Sequence, residues 1–119
     1  MIKTRSQQFA EKAFSVVDRW KNAQNSCAEL KSFARSFPAL VQTCGLLQAL
    51  AYAQEKNEAY FEGFRETLEV IESVGKIDVE KLCATNSIDY MRVGRLALEA
   101  ATWIKRYAVV LLDDDGGSQ

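Results

Sequence analysis

Tyr90-Met91-Arg92-Val93-Gly94-Arg95, continuing to Trp103-Ile104-Lys105-Arg106-Tyr107-Ala108, decides the fold class. Arg92, Arg95, Glu99, Thr102 and Arg106 follow one another at steps of 3, 4, 3 and 4. On an α-helix that spacing places all five on one face. Tyr90, Val93, Leu96, Ala97, Ala100, Ala101, Trp103, Ile104, Tyr107, Ala108 and Leu111 fill the rest of the circumference. So wide an apolar arc predicts a long helix buried in the core and showing only a narrow polar strip. The strip carries three arginines against one glutamate, which suits an anion.

Working outward, the N-terminal segment repeats the pattern. A helix is predicted from about Thr4 to Trp20, with Phe9, Ala10, Ala13, Phe14, Val16, Val17 and Trp20 as its apolar arc. Arg5, Gln8, Lys12, Ser15 and Arg19 form a second stripe beside it, again at steps of 3, 4, 3 and 4. Asn22 to Ser26 reads as a loop, and Ala28 to Arg35 as a short helix. Ser36 caps a third helix with Pro38 in its first turn, running from about Phe37 to Lys56. Gly45 inside it suggests close approach of another helix. Asn57 caps a fourth helix, about Glu58 to Val74, with Gly75 as a left-handed stop. Asp78 caps a short helix to Leu82 or Cys83, and Asn86 or Ser87 opens the last. The expectation is an all-α, single-domain bundle of about five to six helices with long first and last helices, over residues 1–112. Residues 113–119, with Asp113, Asp114 and Asp115 at a helix C-terminus, read as an acidic disordered tail.

The net charge of −1 hides segregation. Residues 1–35 carry a net +4, 36–91 a net −5, 92–112 a net +3, and the three terminal aspartates −3. The two ends thus supply a basic face, which points toward a polyanion. The fourth helix is acidic, through Glu58, Glu62, Glu66, Glu69 and Glu72.

Catalytic chemistry is poorly served. There is no histidine, which removes Ser-His and Cys-His pairs and the usual zinc spacings. Cys27, Cys44 and Cys83 are far apart and read as reduced thiols, Cys44 buried in its helix. All-helical nucleotide pyrophosphohydrolases use Glu-x-x-Glu followed by Glu-x-x-Asp to hold Mg²⁺. Glu66-x-x-Glu69 and Glu69-x-x-Glu72 meet the first half, but no Glu-x-x-Asp follows. There is no Gly-rich phosphate loop. The chain is therefore read as non-enzymatic, with no metal or cofactor. No apolar stretch is long enough to span a membrane, and no hydrophobic leader opens the chain, so a cytoplasmic location is expected.

Candidates for gripping a phosphate backbone are Arg5, Lys12, Arg19, Arg92, Arg95, Lys105 and Arg106, because arginine forks suit phosphate. Trp103 and Tyr107 border the stripe and are expected mostly in the core, with base stacking as the other role. Glu62, Glu66 and Glu69 are candidates for docking a basic surface on a neighbouring subunit.

Three blocks of the chain resemble a known family. Thr4-Arg5-Ser6-Gln7 with Ala10, Ala13 and Val17 is similar to its opening helix. Phe37-Pro38-Ala39-Leu40-Val41, then Gly45-Leu46-Leu47-Gln48-Ala49-Leu50-Ala51-Tyr52, is similar to its Pro…Gly-Leu-x-Gln-Ala-Leu-Ala block. Tyr90-x-Arg92-x-x-Arg95 followed by Trp103-Ile104-Lys105-Arg106-Tyr107-Ala108 resembles its closing helix. The blocks stand in the right order and span nearly the whole chain. The family is the small all-helical subunit of the type III-B CRISPR–Cas effector, the Cmr complex. The chain departs from it at Gly94 and Leu96, where Thr and Glu are common, and at Cys44, where Asn or Ala is common. The resemblance implies a non-catalytic structural subunit, stacked in copies along the guide RNA and target RNA beside other Cmr subunits. It also implies that the phosphate backbone met by the basic candidates is RNA. The corresponding type III-A small subunit and a helical protein-only adaptor are the alternatives.

Overall fold

A computed structural model describes residues 3–23, 27–71 and 74–112. Six helices follow in order among them: α1 (Arg5–Ala23), α2 (Cys27–Cys44), α3 (Leu46–Lys56), α4 (Glu58–Leu68), α5 (Val79–Cys83) and α6 (Ser87–Leu111). The predicted acidic tail, Glu72 and most of the Asn22–Ser26 loop lie outside the described residues.

The all-α expectation holds, and α6 is the spine. It packs against α1, α2 and α4, presenting Val93, Leu96, Ala97, Ala100, Ala101, Ile104 and Ala108 to the core. Four of those seven are alanines, which lets neighbouring helix axes come close. From α1 come Phe9, Ala13, Val16, Val17 and Trp20, all buried. Phe14, assigned to the same arc, is instead 47% exposed. It stands at the margin of the arc, where α6 covers only one side of its ring.

The centre of the core is aromatic. Tyr60 of α4 lies 5.0 Å from both Phe33 and Phe37 of α2, and 5.8 Å from Trp20, between ring centroids. Phe37 also meets Phe64 edge-on at 5.0 Å. Edge-on and tilted pairs of this kind add to the burial of large apolar surfaces. The glycine that close approach of another helix requires is Gly63, not Gly45. A Cβ at Gly63 would lie 2.5 Å from Trp20 Cζ2 and 2.6 Å from Val16 Cγ1, so α4 can lie on α1 only because that carbon is missing.

The largest correction concerns residues 27–56. One helix runs unbroken from Cys27 to Cys44 with Pro38 inside it, in place of a short helix and a new start at Ser36. Pro38 forfeits one backbone hydrogen bond. Burial of Leu30, Ala34, Phe37 and Val41 on one continuous face outweighs that loss. Ser36 is mid-helix, and its hydroxyl donates back to the carbonyls of Ser32 and Phe33, each at 3.3 Å. The break comes at Gly45, whose φ of 89° is a backbone state that favours glycine. Cys44, at that break, is exposed rather than buried, while Cys27 is half-buried; all three thiols are free.

The other helix starts follow the sequence. Asn57 accepts from the Tyr60 N–H, Asp78 from Lys81, and Asn86 from Asp89. Gly75 has the expected positive φ, 72°. The fourth helix ends early, at Leu68, where the β-branched Val70 and Ile71 begin a tighter turn. Glu69 helps to close that turn, its carboxylate accepting the Ile77 N–H at 2.7 Å.

Candidate nucleic-acid interface

The exposed strip of α6 and the N-terminal turn of α1 enclose an open groove of ≈ 550 Å³. Ser6, Arg95, Leu98, Glu99, Thr102, Trp103 and Arg106 line it. Four of the five residues of the predicted α6 stripe are thus in one place. Arg95 and Arg106 are exposed, and Lys105 is exposed beside them. Neither Arg95 nor Lys105 has an ion-pair partner among the described residues. Arg106 lies over the Trp103 indole, 5.2 Å from the ring centroid.

Among the described residues Glu99 is the one acid in the groove, and it is occupied. Arg5 Nε donates to Oε1 at 2.8 Å and the Ser6 hydroxyl to Oε2 at 2.8 Å. These bonds pin the start of α1 to the middle of α6 and offset the acid's charge. The spacing of the stripe revealed Glu99, but Ser6 carried no signal, because its role depends on where α1 crosses α6.

Arg92, the first member of the stripe, looks elsewhere. It is half-buried and lines a smaller cavity of ≈ 160 Å³ with Lys76, Lys81, Thr85 and Asp89, against α5. The basic stripe of α1 is likewise divided. Arg5 faces α6, whereas Arg19 forks onto Glu66 of α4, Nη2 to Oε2 at 2.8 Å and Nη1 to Oε1 at 3.2 Å. Lys12 Nζ stands 3.8 Å from the same carboxylate. Each pair is partly exposed and is worth at most about 1 kcal/mol.

The three candidate interface acids, Glu62, Glu66 and Glu69, are therefore engaged within the chain. Glu66 holds two cations of α1. Glu62 and Glu69 flank Arg65, at 2.6 and 3.8 Å. The hydrogen bond that Arg65 donates to Glu62 is the main reason that its guanidinium is held protonated even more firmly than usual. Among the described residues no group of three or more His, Cys, Asp or Glu side chains is placed to hold a metal ion, and no helix is long and apolar enough to cross a membrane.

Trp103 and Tyr107 are half-buried rather than fully in the core. Their rings stack, with centroids 5.9 Å apart and planes at 25°. Tyr107 meets the half-exposed Phe14 of α1 edge-on at 5.5 Å. The groove thus has cations along α6 and an aromatic row running toward α1.

Comparison with known proteins agrees with this fold. Residues 5–111 match the family model described as CRISPR-associated protein (Cas_Cmr5). The chain is 28% identical over 123 residues to the CRISPR system Cmr subunit Cmr5 of Thermus thermophilus, covering 95% of this chain and all of the relative. A crystal structure of a CRISPR-associated Cmr5 family protein from Thermus thermophilus superposes with a TM-score of 0.75 at 31% identity, over 93% of this chain and all of that one. With a family model spanning nearly every helix, and a solved relative sharing both fold and sequence, the chain belongs to the Cmr5 family of CRISPR-associated proteins.

Proposed function

We propose that this protein is a non-catalytic structural subunit of the type III-B Cmr effector complex, placed in copies along the path of guide RNA and target RNA. Its partners are the other Cmr subunits, further copies of itself, and the RNA backbone, in the cytoplasm. The observation that carries the RNA contact is the α6 groove. Arg95 and Arg106 stand there with Lys105 nearby, while the only carboxylate lining the groove among the described residues is already held by Arg5 and Ser6. Cations without counter-ions among the described residues suit phosphate and carry no sequence information, as a subunit serving any guide requires.

The remaining basic residues take a second rank. Arg5, Lys12 and Arg19 each reach phosphate by exchanging a carboxylate of their own chain. Arg92 extends the contact toward α5. Glu62, Glu66 and Glu69 contribute to copy-to-copy contact by the same kind of exchange, accepting a neighbour's cations in place of their own. The exposed apolar side chains of α6, Ile88 and Met91 near its start and Val110 near its end, favour protein neighbours at both ends of the groove. Contacts of this head-to-tail kind extend into a short filament rather than closing.

The test is RNA affinity against salt concentration. On single strands the log–log slope is about −0.7 per phosphate contact. Arg95→Ala, Lys105→Ala and Arg106→Ala are expected to weaken binding and flatten the slope while leaving the fold intact. Salt-insensitive RNA association, or recovery of protein partners with no guide RNA when the tagged chain is drawn from its own cell, would return the protein to the class of protein-only adaptors.

A further inference from the structure

The groove holds more than charge. Three rings stand in a row from its rim to α1: Trp103, Tyr107 and Phe14, each only partly covered. A core helix does not need them there. α6 already buries Ile104 and Ala108 from the same turns, and α1 buries Val16 and Val17 next to Phe14. Exposed aromatic surface beside guanidinium groups is the arrangement used to hold unpaired bases, because every base offers a π-face whatever its identity. A duplex offers phosphate but keeps its bases stacked on one another.

We infer that the Trp103 ring is a stacking platform for an unpaired base, so that this groove takes single-stranded rather than fully paired RNA. The inference rests on the RNA-contacting role proposed above and narrows its ligand. In the free chain Arg106 covers the indole at 5.2 Å. An incoming base takes that position, and the guanidinium moves from the ring to the adjacent phosphate, with Arg95 on the next one. Tyr107 stacks on Trp103 and is braced by Phe14, so the platform is held from α1 as well as α6. An acidic protein segment would use the cations equally well. The ring row, with no acid beside it among the described residues except the occupied Glu99, favours the nucleic acid.

Three labelled RNAs separate these terms in a binding titration with the full chain: a single strand, the same strand with abasic sites, and a blunt duplex. Trp103→Ala is expected to lower affinity for the single strand by about 5- to 150-fold, as loss of one stacked base does. The salt slope and the duplex affinity stay unchanged. Trp103→Phe keeps most of the affinity, and the abasic strand binds wild type as weakly as the intact strand binds Trp103→Ala. Arg95→Ala instead lowers affinity for all three and flattens the slope. If Trp103→Ala binds the single strand as wild type does, or weakens single strand and duplex alike, the platform is overturned while the phosphate contact survives through Arg95. If the wild-type chain shows no salt-dependent affinity for any of the three, both readings fall.

Discussion

The hydroxyl of Tyr90, in the first turn of α6, accepts the backbone N–H of Leu47, in the first turn of α3, at 2.8 Å. A break at Gly45 leaves the start of α3 without a side-chain cap of its own. Tyr90 supplies that cap from 43 residues away in sequence. The pair thus couples the kink between α2 and α3 to the start of the helix that carries the groove. Tyr90→Phe keeps the ring and removes the acceptor. It is expected to cost about 1 kcal/mol in urea unfolding, the usual worth of one such bond. An unchanged midpoint would mean that water replaces the hydroxyl at no cost.

Two glycines on helices predict opposite outcomes for the same change. At Gly63 the added methyl would stand 2.5 Å from Trp20 and 2.6 Å from Val16, inside the α1–α4 contact. Gly63→Ala is expected to destabilise by about 1–3 kcal/mol, as overpacking of a filled core does. At Gly94 nothing lies within 4 Å of the new carbon, and the residue is in the middle of α6. Gly94→Ala is expected to stabilise by about 1 kcal/mol through helix propensity alone. Thermal unfolding of the two variants beside wild type reads both signs.

Tyr60 makes a third case. Its ring is wholly buried among Trp20, Phe33, Phe37 and Phe64, and its hydroxyl has no hydrogen-bond partner among the described residues. Tyr60→Phe keeps the rings and removes the stranded polar atom, so it is expected to raise stability by about 1 kcal/mol at neutral pH. Burial also pushes the phenol pKa well above its ordinary value. In alkali the folded chain then keeps a proton that the unfolded chain loses. The resulting stability is fully present below about pH 10 and drains away as pH rises further. Tyr60→Phe is expected to flatten that alkaline loss. An equal loss in both proteins would assign it to the other tyrosines.

What the sequence made legible was local. The caps Asn57, Asp78 and Asn86 and the turn at Gly75 depend on neighbours within a few residues, and the 3-4 spacing of Arg95, Glu99, Thr102 and Arg106 brought those four to one groove. What stayed hidden depended on which helices meet. Pro38 lies within a helix because Phe37 and Val41 are buried on the same face, a gain that no local rule contains. Gly63 matters only because Trp20 crosses it. The same limit applies to the site. Nothing in the spacing of Arg5, Lys12 and Arg19 says that the first would find Glu99 and the other two Glu66.

That last pairing separates two roles open to Glu66. Its carboxylate offsets Lys12 and Arg19 of its own chain, and the pairs are partly exposed, so Glu66→Gln is expected to cost less than about 1 kcal/mol of stability. It leaves two cations of α1 without their partner. If α1 lies along the RNA, the freed side chains add up to two phosphate contacts, and the log–log salt slope on single strands steepens by up to about 1.4. If Glu66 instead receives a cation from the next copy, the variant's assembly weakens and its RNA slope stays as in wild type. Titration in RNA and sedimentation of the assembled complex, run on one preparation, read the two outcomes independently. A variant unchanged in both would confine Glu66 to holding α1 against α4.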